Sequence, residues 1–225
     1  LEGLVELHRG AEAIIYMGSF LGFRAIYKYR SPKPYRSVEL DKKLRFERTL
    51  NEARIMLRLS LSGVPVPALL DVDLDRGLIV MEYIEGKILR DYILAGGSTD
   101  LLIDAGRILG MVHNKGVCHG DPTISNYIVD SKGTLWIIDF GLSEYSSDVE
   151  DYAVDLHLLY RSIETLPLGD IEDLKEKVYM GYTEIVGKDW ADRVRGKVKE
   201  IRMRGRYVLE RRVRTIWLER GEERQ

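Results

Sequence analysis

Early in the chain, apolar residues alternate in short runs, the period-2 pattern of half-buried strands. Later they recur every three or four residues, as helices require. Val5–His8 and Ile14–Phe20 read as two strands joined by a turn over Arg9-Gly10-Ala11-Glu12-Ala13, and Phe23–Tyr29 as a third, with Lys28 near its end. Ser31-Pro32-Lys33-Pro34-Tyr35-Arg36 then breaks the pattern, because proline lacks the N–H that ladders and helix interiors use. A long helix is predicted from about Glu39 to Ser60, with Phe46, Leu50, Ala53 and Leu57 as its apolar stripe and Gly63, Pro65 and Pro67 as its stop. Glu52 lies beside that stripe, and periodicity alone favours a solvated carboxylate over a site residue there.

Leu69–Val72 and Leu78–Tyr83 are two further strands around Asp75-Arg76-Gly77. After Gly86 the pattern becomes mainly helical. A short helix is expected near Leu89–Leu94 and a buried one over Asp100–Lys115, stopped at Gly116. Tyr127–Val129 and Leu135–Ile138 interrupt as strands, before helices over Val149–Leu166, Ile171–Val186 and Asp189–Met203. This order predicts an α+β fold of two lobes. Residues 1–83 would form a small antiparallel-sheet lobe with one long helix, residues 84–201 a mostly helical lobe, and residues 202–225 a basic tail.

Composition changes this picture little. At 225 residues, 45% hydrophobic and 31% charged, the chain has an ordinary globular make-up, and a formal net charge of −2 selects no partner. No apolar run approaches the ~20 residues of a membrane span, and Leu1-Glu2-Gly3 has no signal-peptide pattern, so a cytoplasmic protein without membrane contact is expected. One cysteine excludes an internal disulfide and a four-cysteine zinc site, which leaves Cys118 as a packing residue. Local charge is more informative. Arg193, Arg195, Lys197, Lys199, Arg202, Arg204, Arg206, Arg211, Arg212 and Arg214 make the C-terminal segment basic, and Tyr207 and Trp217 lie among them. Such a run suits docking on a protein or on RNA equally.

The chemistry concentrates in His119–Gly141. His119-Gly120-Asp121 is followed by Asn126, a strand pair, and Asp139-Phe140-Gly141. Phosphoryl transfer needs a carboxylate to orient the attacking hydroxyl, and an Asn and a second Asp to hold the metal ions that bridge the phosphates. The kinase signatures H-R-D-x-x-x-x-N and D-F-G have this order and separation. The turn over residues 9–13 has one glycine rather than three, and taken alone it is more readily an ordinary hairpin.

With Lys28, the helix bearing Arg48-Thr49-Leu50-Asn51-Glu52-Ala53-Arg54, Met81-Glu82-Tyr83, Asp151 to Asp155 and Arg202-Met203-Arg204-Gly205-Arg206 in the same order, nearly the whole chain resembles the small RIO-like atypical serine/threonine kinases of the KEOPS complex. That complex serves threonylcarbamoyl-adenosine synthesis on tRNA. The resemblance implies ATP and Mg²⁺, or Mn²⁺, as cofactors, and the other KEOPS subunits as partners, above all the threonylcarbamoyl-transferase subunit. Contact of the basic tail with tRNA is a further implied partnership. Lys28 would grip the α/β-phosphates and pair with Glu52, and Asp121 would act as base or orient the nucleophile. Asn126 and Asp139 would ligate the metal. Arg9, Gly10, Ala11, Glu12 and Ala13 would cover the nucleotide, whose adenine would meet the backbone of Glu82 and Ile84 with Met81 behind it. Asp155 would tie down the catalytic loop, although without the resemblance a helix N-terminal charge serves equally well.

The departures define the expected activity. Gly120 replaces the arginine that usually receives an activation-loop phosphate, which predicts activity independent of such a phosphate. Thr123, placed in the catalytic set, stands where many kinases have lysine, at some cost in charge stabilisation. Only Leu142–Asp148 separate Gly141 from the next helix, with no Ala-Pro-Glu, so a peptide platform is missing. Ser143, Ser146 and Ser147 read as exposed loop serines before they read as self-phosphorylation sites. The expected function is partner-controlled transfer of the γ-phosphate to water or to a few Ser/Thr targets. An aminoglycoside-phosphotransferase-like small-molecule kinase and a nucleotide-binding scaffold without turnover are the competing readings.

Overall fold

The structure, a computed structural model, describes residues 3–204. Its first part is a five-stranded antiparallel sheet in the order β1-β2-β3-β5-β4, built from β1 (Val5–Arg9), β2 (Ile14–Phe20), β3 (Phe23–Tyr29), β4 (Leu69–Asp73) and β5 (Leu78–Glu82). β3 is the central strand, and Lys28 sits in register between Ile15 of β2 and Ile79 of β5. Helix α1 (Val38–Leu61) crosses this sheet. Ser37 caps it by accepting from the Leu40 amide at 3.4 Å, Glu39 and Asp41 complement its positive end, and Gly63 at φ +79° follows its close.

The phase of α1 differs from the sequence expectation. Its buried face runs through Thr49, Glu52, Ala53, Met56 and Leu59, together with Ile55, whereas Phe46 and Leu57 are exposed. The stripe Phe46–Leu50–Ala53–Leu57 is therefore rotated from the true interior face. Polar Thr49 and Glu52 occupy interior positions, which inverts the usual apolar rule.

The second part is mainly helical. A three-stranded sheet, β6 (Gly86–Ile88), β8 (Tyr127–Asp130) and β9 (Leu135–Ile137), lies with the short pair β7 (Val117–Cys118) and β10 (Glu144–Tyr145) beside helices α2 (Leu89–Leu94), α3 (Leu101–Asn114), α4 (Val149–Ile163) and α5 (Ile171–Val186). A further helix, α6, covers residues 188–204. α3 and α5 cross in unusually close contact. A Cβ at Gly106 would stand 2.0 Å from the Val178 carbonyl oxygen, and one at Gly181 would stand 1.8 Å from that of Ile103. One contiguous core joins the two parts, from Ile55, Leu59 and Ile79 through Leu109, Ile124 and Phe140 to Leu156, Tyr182 and Val194. No helix among the described residues is long and apolar enough to cross a membrane.

The basic character expected of the C-terminal segment is largely neutralised where it is described. Arg195 pairs with Glu176, Lys197 with Glu200, Arg202 with Glu164 and Arg204 with Glu150. Arg206, Tyr207, Arg211, Arg212, Arg214 and Trp217 lie outside the described residues.

Candidate functional site

The side chains singled out in the sequence converge where the sheet meets the helical part. Lys28, almost fully buried, donates to Glu52 Oε1 and to Asp139 Oδ1, each at 2.6 Å. Burial favours the neutral amine, but the two carboxylates outweigh it and hold the Lys28 pKa above the ordinary lysine value. Asp139 is likewise pushed up by burial and pulled further down by Lys28 and the Gly141 amide, so its carboxyl stays ionised. Its backbone adopts φ +65°, a left-handed conformation rare outside glycine and one that clusters at functional sites. The partner of Lys28 on α1 is thus Glu52, an interior residue with a side chain 1% exposed, not the solvated carboxylate that periodicity favoured.

Asp121 and Asn126 form the second half of the site. Asn126 Nδ2 donates to the Asp121 carbonyl at 2.8 Å and to Asp121 Oδ2 at 3.0 Å. Committing this amide nitrogen leaves Asn126 Oδ1 without a partner among the described residues, and the same holds for Asp139 Oδ2. Among the described residues Thr123 contributes through its backbone, donating to the Asp121 carbonyl and accepting from the Asn126 amide, both at 2.8 Å.

Asp155, on α4 and 1% exposed, organises the loop before Asp121. Its Oδ2 accepts from the His119 amide at 2.6 Å and its Oδ1 from the Gly120 amide at 2.9 Å. It also bonds His113 Nε2 at 3.1 Å, and that ring is stacked on Tyr152. Gly120 has φ +84°, and a Cβ there would meet the Leu142 carbonyl oxygen at 2.4 Å. Both the backbone angle and the space exclude a side chain at the position where most kinases keep arginine.

The segment after Gly141 is pinned. β10 pairs with β7, the Ser146 amide donates to the Gly116 carbonyl at 3.1 Å, and Asn51 of α1 donates to the Ser143 carbonyl at 2.8 Å. The expectation of three exposed loop serines is corrected. Ser143 is buried with its hydroxyl on the Phe140 carbonyl, Ser146 is half-buried and bonded to Asp151, and Ser147 alone of the three is exposed.

The turn over residues 9–13 is closed by the Gly10 amide on the Ala13 carbonyl at 3.0 Å, and Ala11 lies exposed. Arg9 turns back along β1 to Glu6. Glu12 reaches Arg48 of α1; against the cost of its burial, that cation holds the Glu12 carboxyl below the usual range. Met81, in β5, and Ile84, just after it, are buried. The Glu82 amide is committed to the Ala68 carbonyl at 2.9 Å, whereas the backbone of Ile84 enters no backbone hydrogen bond among the described residues.

Sequence reasoning gave no role to two residues, Arg30, which stands in the stretch Tyr29-Arg30-Ser31-Pro32-Lys33 that helps carry the resemblance, and His113. Arg30, 3% exposed, donates to Glu52 Oε2 at 2.5 Å, so Glu52 carries two cations. Its signal was its place two residues after Lys28, on the same face of an extended chain. His113 was hidden in the apolar run of α3, and no local pattern marked it.

The sequence profile of the RIO domain matches residues 11–154. The chain belongs to the RIO domain family. As a RIO kinase it is an atypical protein kinase with ATPase activity. It is 41% identical over 210 residues to KEOPS complex subunit Bud32 of Pyrococcus abyssi, covering 89% of this chain and 95% of that protein. It is 40% identical over 202 residues to the probable bifunctional tRNA threonylcarbamoyladenosine biosynthesis protein of Methanothermobacter thermautotrophicus, but spans only 36% of that longer protein. Among solved structures, the Rio2 kinase-ADP/Mg²⁺-phosphoaspartate complex from Chaetomium thermophilum matches with a TM-score of 0.58 at 18% identity, over 88% of this chain and 70% of that one. The two share the kinase-like fold.

Proposed function

We propose that this RIO kinase turns over ATP within a KEOPS-type assembly that serves threonylcarbamoyladenosine formation on tRNA, passing the γ-phosphate to water or to a few Ser/Thr targets under partner control. The observation that carries the reading is that the Lys28–Glu52–Asp139 group and the Asp121–Asn126 pair are tied to each other through His119 and the backbone of Ile138. The likeness to Bud32 over nearly its full length supports the setting.

In this reading Lys28 holds the α/β-phosphates and Asp121 orients the nucleophile. Thr123 sets the Asp121 loop through its backbone. The Ile84 backbone, with the Glu82 carbonyl, receives the adenine edge, and Met81 lies behind it. The turn Arg9–Ala13 covers the phosphates. Asn126 Oδ1 and Asp139 Oδ2 suit Mg²⁺, a hard ion that takes one or two protein oxygens and fills its shell with phosphate and water. Mn²⁺ fits the same donors. No cluster of three or more His, Cys, Asp or Glu able to hold a metal occurs among the described residues, so phosphate and water oxygens would have to complete the shell. The metal, when bound, neutralises charge across the phosphates.

The pinned, seven-residue run Leu142–Asp148 leaves no platform for a general peptide, which favours water or a few acceptors. We assign residues 1–83 and 84–201 to the two kinase lobes and the tail, residues 202–225, to docking on the transferase subunit or on tRNA, in the cytoplasm. The test is Mg²⁺-dependent ATP turnover by wild type, Asp139→Ala and Asp121→Ala, with and without the transferase subunit. Turnover lost in both variants and stimulated by the subunit is expected. Equal turnover in all three proteins, or rapid phosphorylation of unrelated peptides by the chain alone, contradicts the reading.

A further inference from the structure

In kinases governed by a loop phosphate, an arginine before the catalytic Asp receives that phosphate and helps hold the helix carboxylate inward. Here Gly120 occupies that position and admits no side chain. Some other contact must hold α1 against the sheet. Apart from Arg45 on the Arg76 carbonyl and Asp41 on the Lys33 amide near the start of α1, three ties lie toward the site: Glu12 to Arg48, Asn51 to the Ser143 carbonyl, and Glu52 to its two cations. The first is exposed and open to screening. The last is buried and reaches the reacting region directly.

Within that last tie, Lys28 is shared. Its Nζ bonds Glu52 Oε1 and Asp139 Oδ1 at the same distance, 2.6 Å. Work on a triphosphate requires Lys28 to give up Asp139 for phosphate oxygens and Asp139 to turn toward metal, so Lys28 then divides its charge between Glu52 and the phosphates just when α1 must stay in place. Arg30 is not shared in this way. Its guanidinium meets the other oxygen, Glu52 Oε2, at 2.5 Å, with side-chain exposures of 4% and 1%. Its own backbone is anchored by the Arg30 amide on the Gly77 carbonyl at 2.9 Å, next to a turn whose Gly77 has φ +71°. Without Arg30, buried Glu52 Oε2 has no donor among the described residues in any position of Lys28, which bonds the other oxygen, a costly state in a water-poor interior.

We propose that Arg30 is a positioning residue for phosphoryl transfer: a permanent second cation on Glu52 that keeps α1 inward while Lys28 leaves Asp139 for the phosphates, and so replaces the loop-phosphate switch. Arg30 does this through Glu52 and touches no substrate. The inference rests on the kinase reading above and adds the device that keeps the site assembled.

A double-mutant cycle tests it: wild type, Arg30→Met, Glu52→Gln and the double variant, with Arg30→Lys as the charge-conserving control. Steady-state KM and kcat for Mg·ATP are read separately, and Mg·ATP affinity is read by calorimetry so that slow turnover does not hide binding. Arg30→Met is expected to raise KM by about ten-fold or more and to lower kcat, while Arg30→Lys stays within about three-fold of wild type. Adding Arg30→Met to Glu52→Gln is expected to change either constant by less than about two-fold, because the path through Glu52 is already cut. If Arg30→Met does not fold, Arg30→Gln enters the same cycle. Arg30→Met matching wild type, or its full penalty persisting in the Glu52→Gln background, overturns the proposal. Absence of Mg²⁺-dependent turnover in the wild type strikes instead at the kinase reading, and the binding cycle still decides the role of Arg30.

Discussion

His119 donates from Nε2 to the carbonyl of Ile138 at 3.1 Å, one residue before Asp139. Its Nδ1 accepts the Asp121 amide at 3.2 Å, so one neutral ring spans the two halves of the site, in the tautomer its bonds require. Ile138 returns the tie, its amide donating to the Asn126 carbonyl at 2.9 Å. His119→Phe fills similar space but strands the half-buried Asp121 amide and Ile138 carbonyl. Urea denaturation should show a loss of about 2–4 kcal/mol, and ATP turnover should fall by about ten-fold or more. Burial holds His119 below the ordinary imidazole range. Its neutral form therefore supports the fold above about pH 6.5, and that support is lost as pH falls. In His119→Phe this part of the acid dependence should disappear.

Asp155 gathers donors from three directions: the amides of His119 and Gly120 and the ring of His113. Asp155→Asn keeps the shape but removes the charge and turns one acceptor into a donor facing N–H groups. A loss of about 2–4 kcal/mol is expected, with a parallel drop in turnover. Thermal melts and kinetics on the same sample check both, and unchanged stability contradicts the loop-anchoring role.

Gly120→Ala should destabilise by about 2–3 kcal/mol, because φ +84° and the Leu142 carbonyl both oppose a Cβ. Gly120→Arg, which restores the usual kinase residue, should be worse and should not confer dependence on loop phosphorylation. Denaturation midpoints of the two variants, with turnover before and after phosphatase treatment, provide the check.

Glu164, at the end of α4, ties α4 to α5 and α6 through Lys175 at 2.8 Å and Arg202 at 2.6 Å. Burial raises its pKa, but those cations prevail and hold it at about 2. Its folded value lies below the unfolded one, so its contribution is present above about pH 4.5 and is lost as pH falls toward 2. That contribution is at most about 3 kcal/mol and less after solvent screening. Glu164→Gln should therefore be less stable than wild type at pH 7, and the difference should close in acid. A gap that is independent of pH contradicts the assignment.

Much of the site was legible because its chemistry fixes residue type and order. In the proposed site Lys28, Asp121, Asn126 and Asp139 would carry roles that few other residues can fill, and the strands around them alternate clearly. Helix α1 shows where that legibility fails. Its interior face holds Glu52 and Thr49 while Phe46 and Leu57 face out, so apolar periodicity gave the wrong phase. Interior charge is tolerable there only because Lys28 and Arg30 meet it, a tertiary fact with no local signature. The same limit applied to His113, whose partners Asp155 and Tyr182 are distant in sequence, and to two-residue strands such as β7 and β10, too short to show any period.

The central claim is a kinase-type site assembled by the fold rather than by a phosphate on its loop. Single-turnover assay with γ-labelled ATP and Mg²⁺, on phosphatase-treated and untreated wild type beside Asp139→Ala, tests it most directly. Equal rates of label release or transfer before and after phosphatase treatment, and none from Asp139→Ala, are the predicted result. A treated chain that is inert and regains activity only after phosphorylation of the Leu142–Asp148 segment would contradict the account.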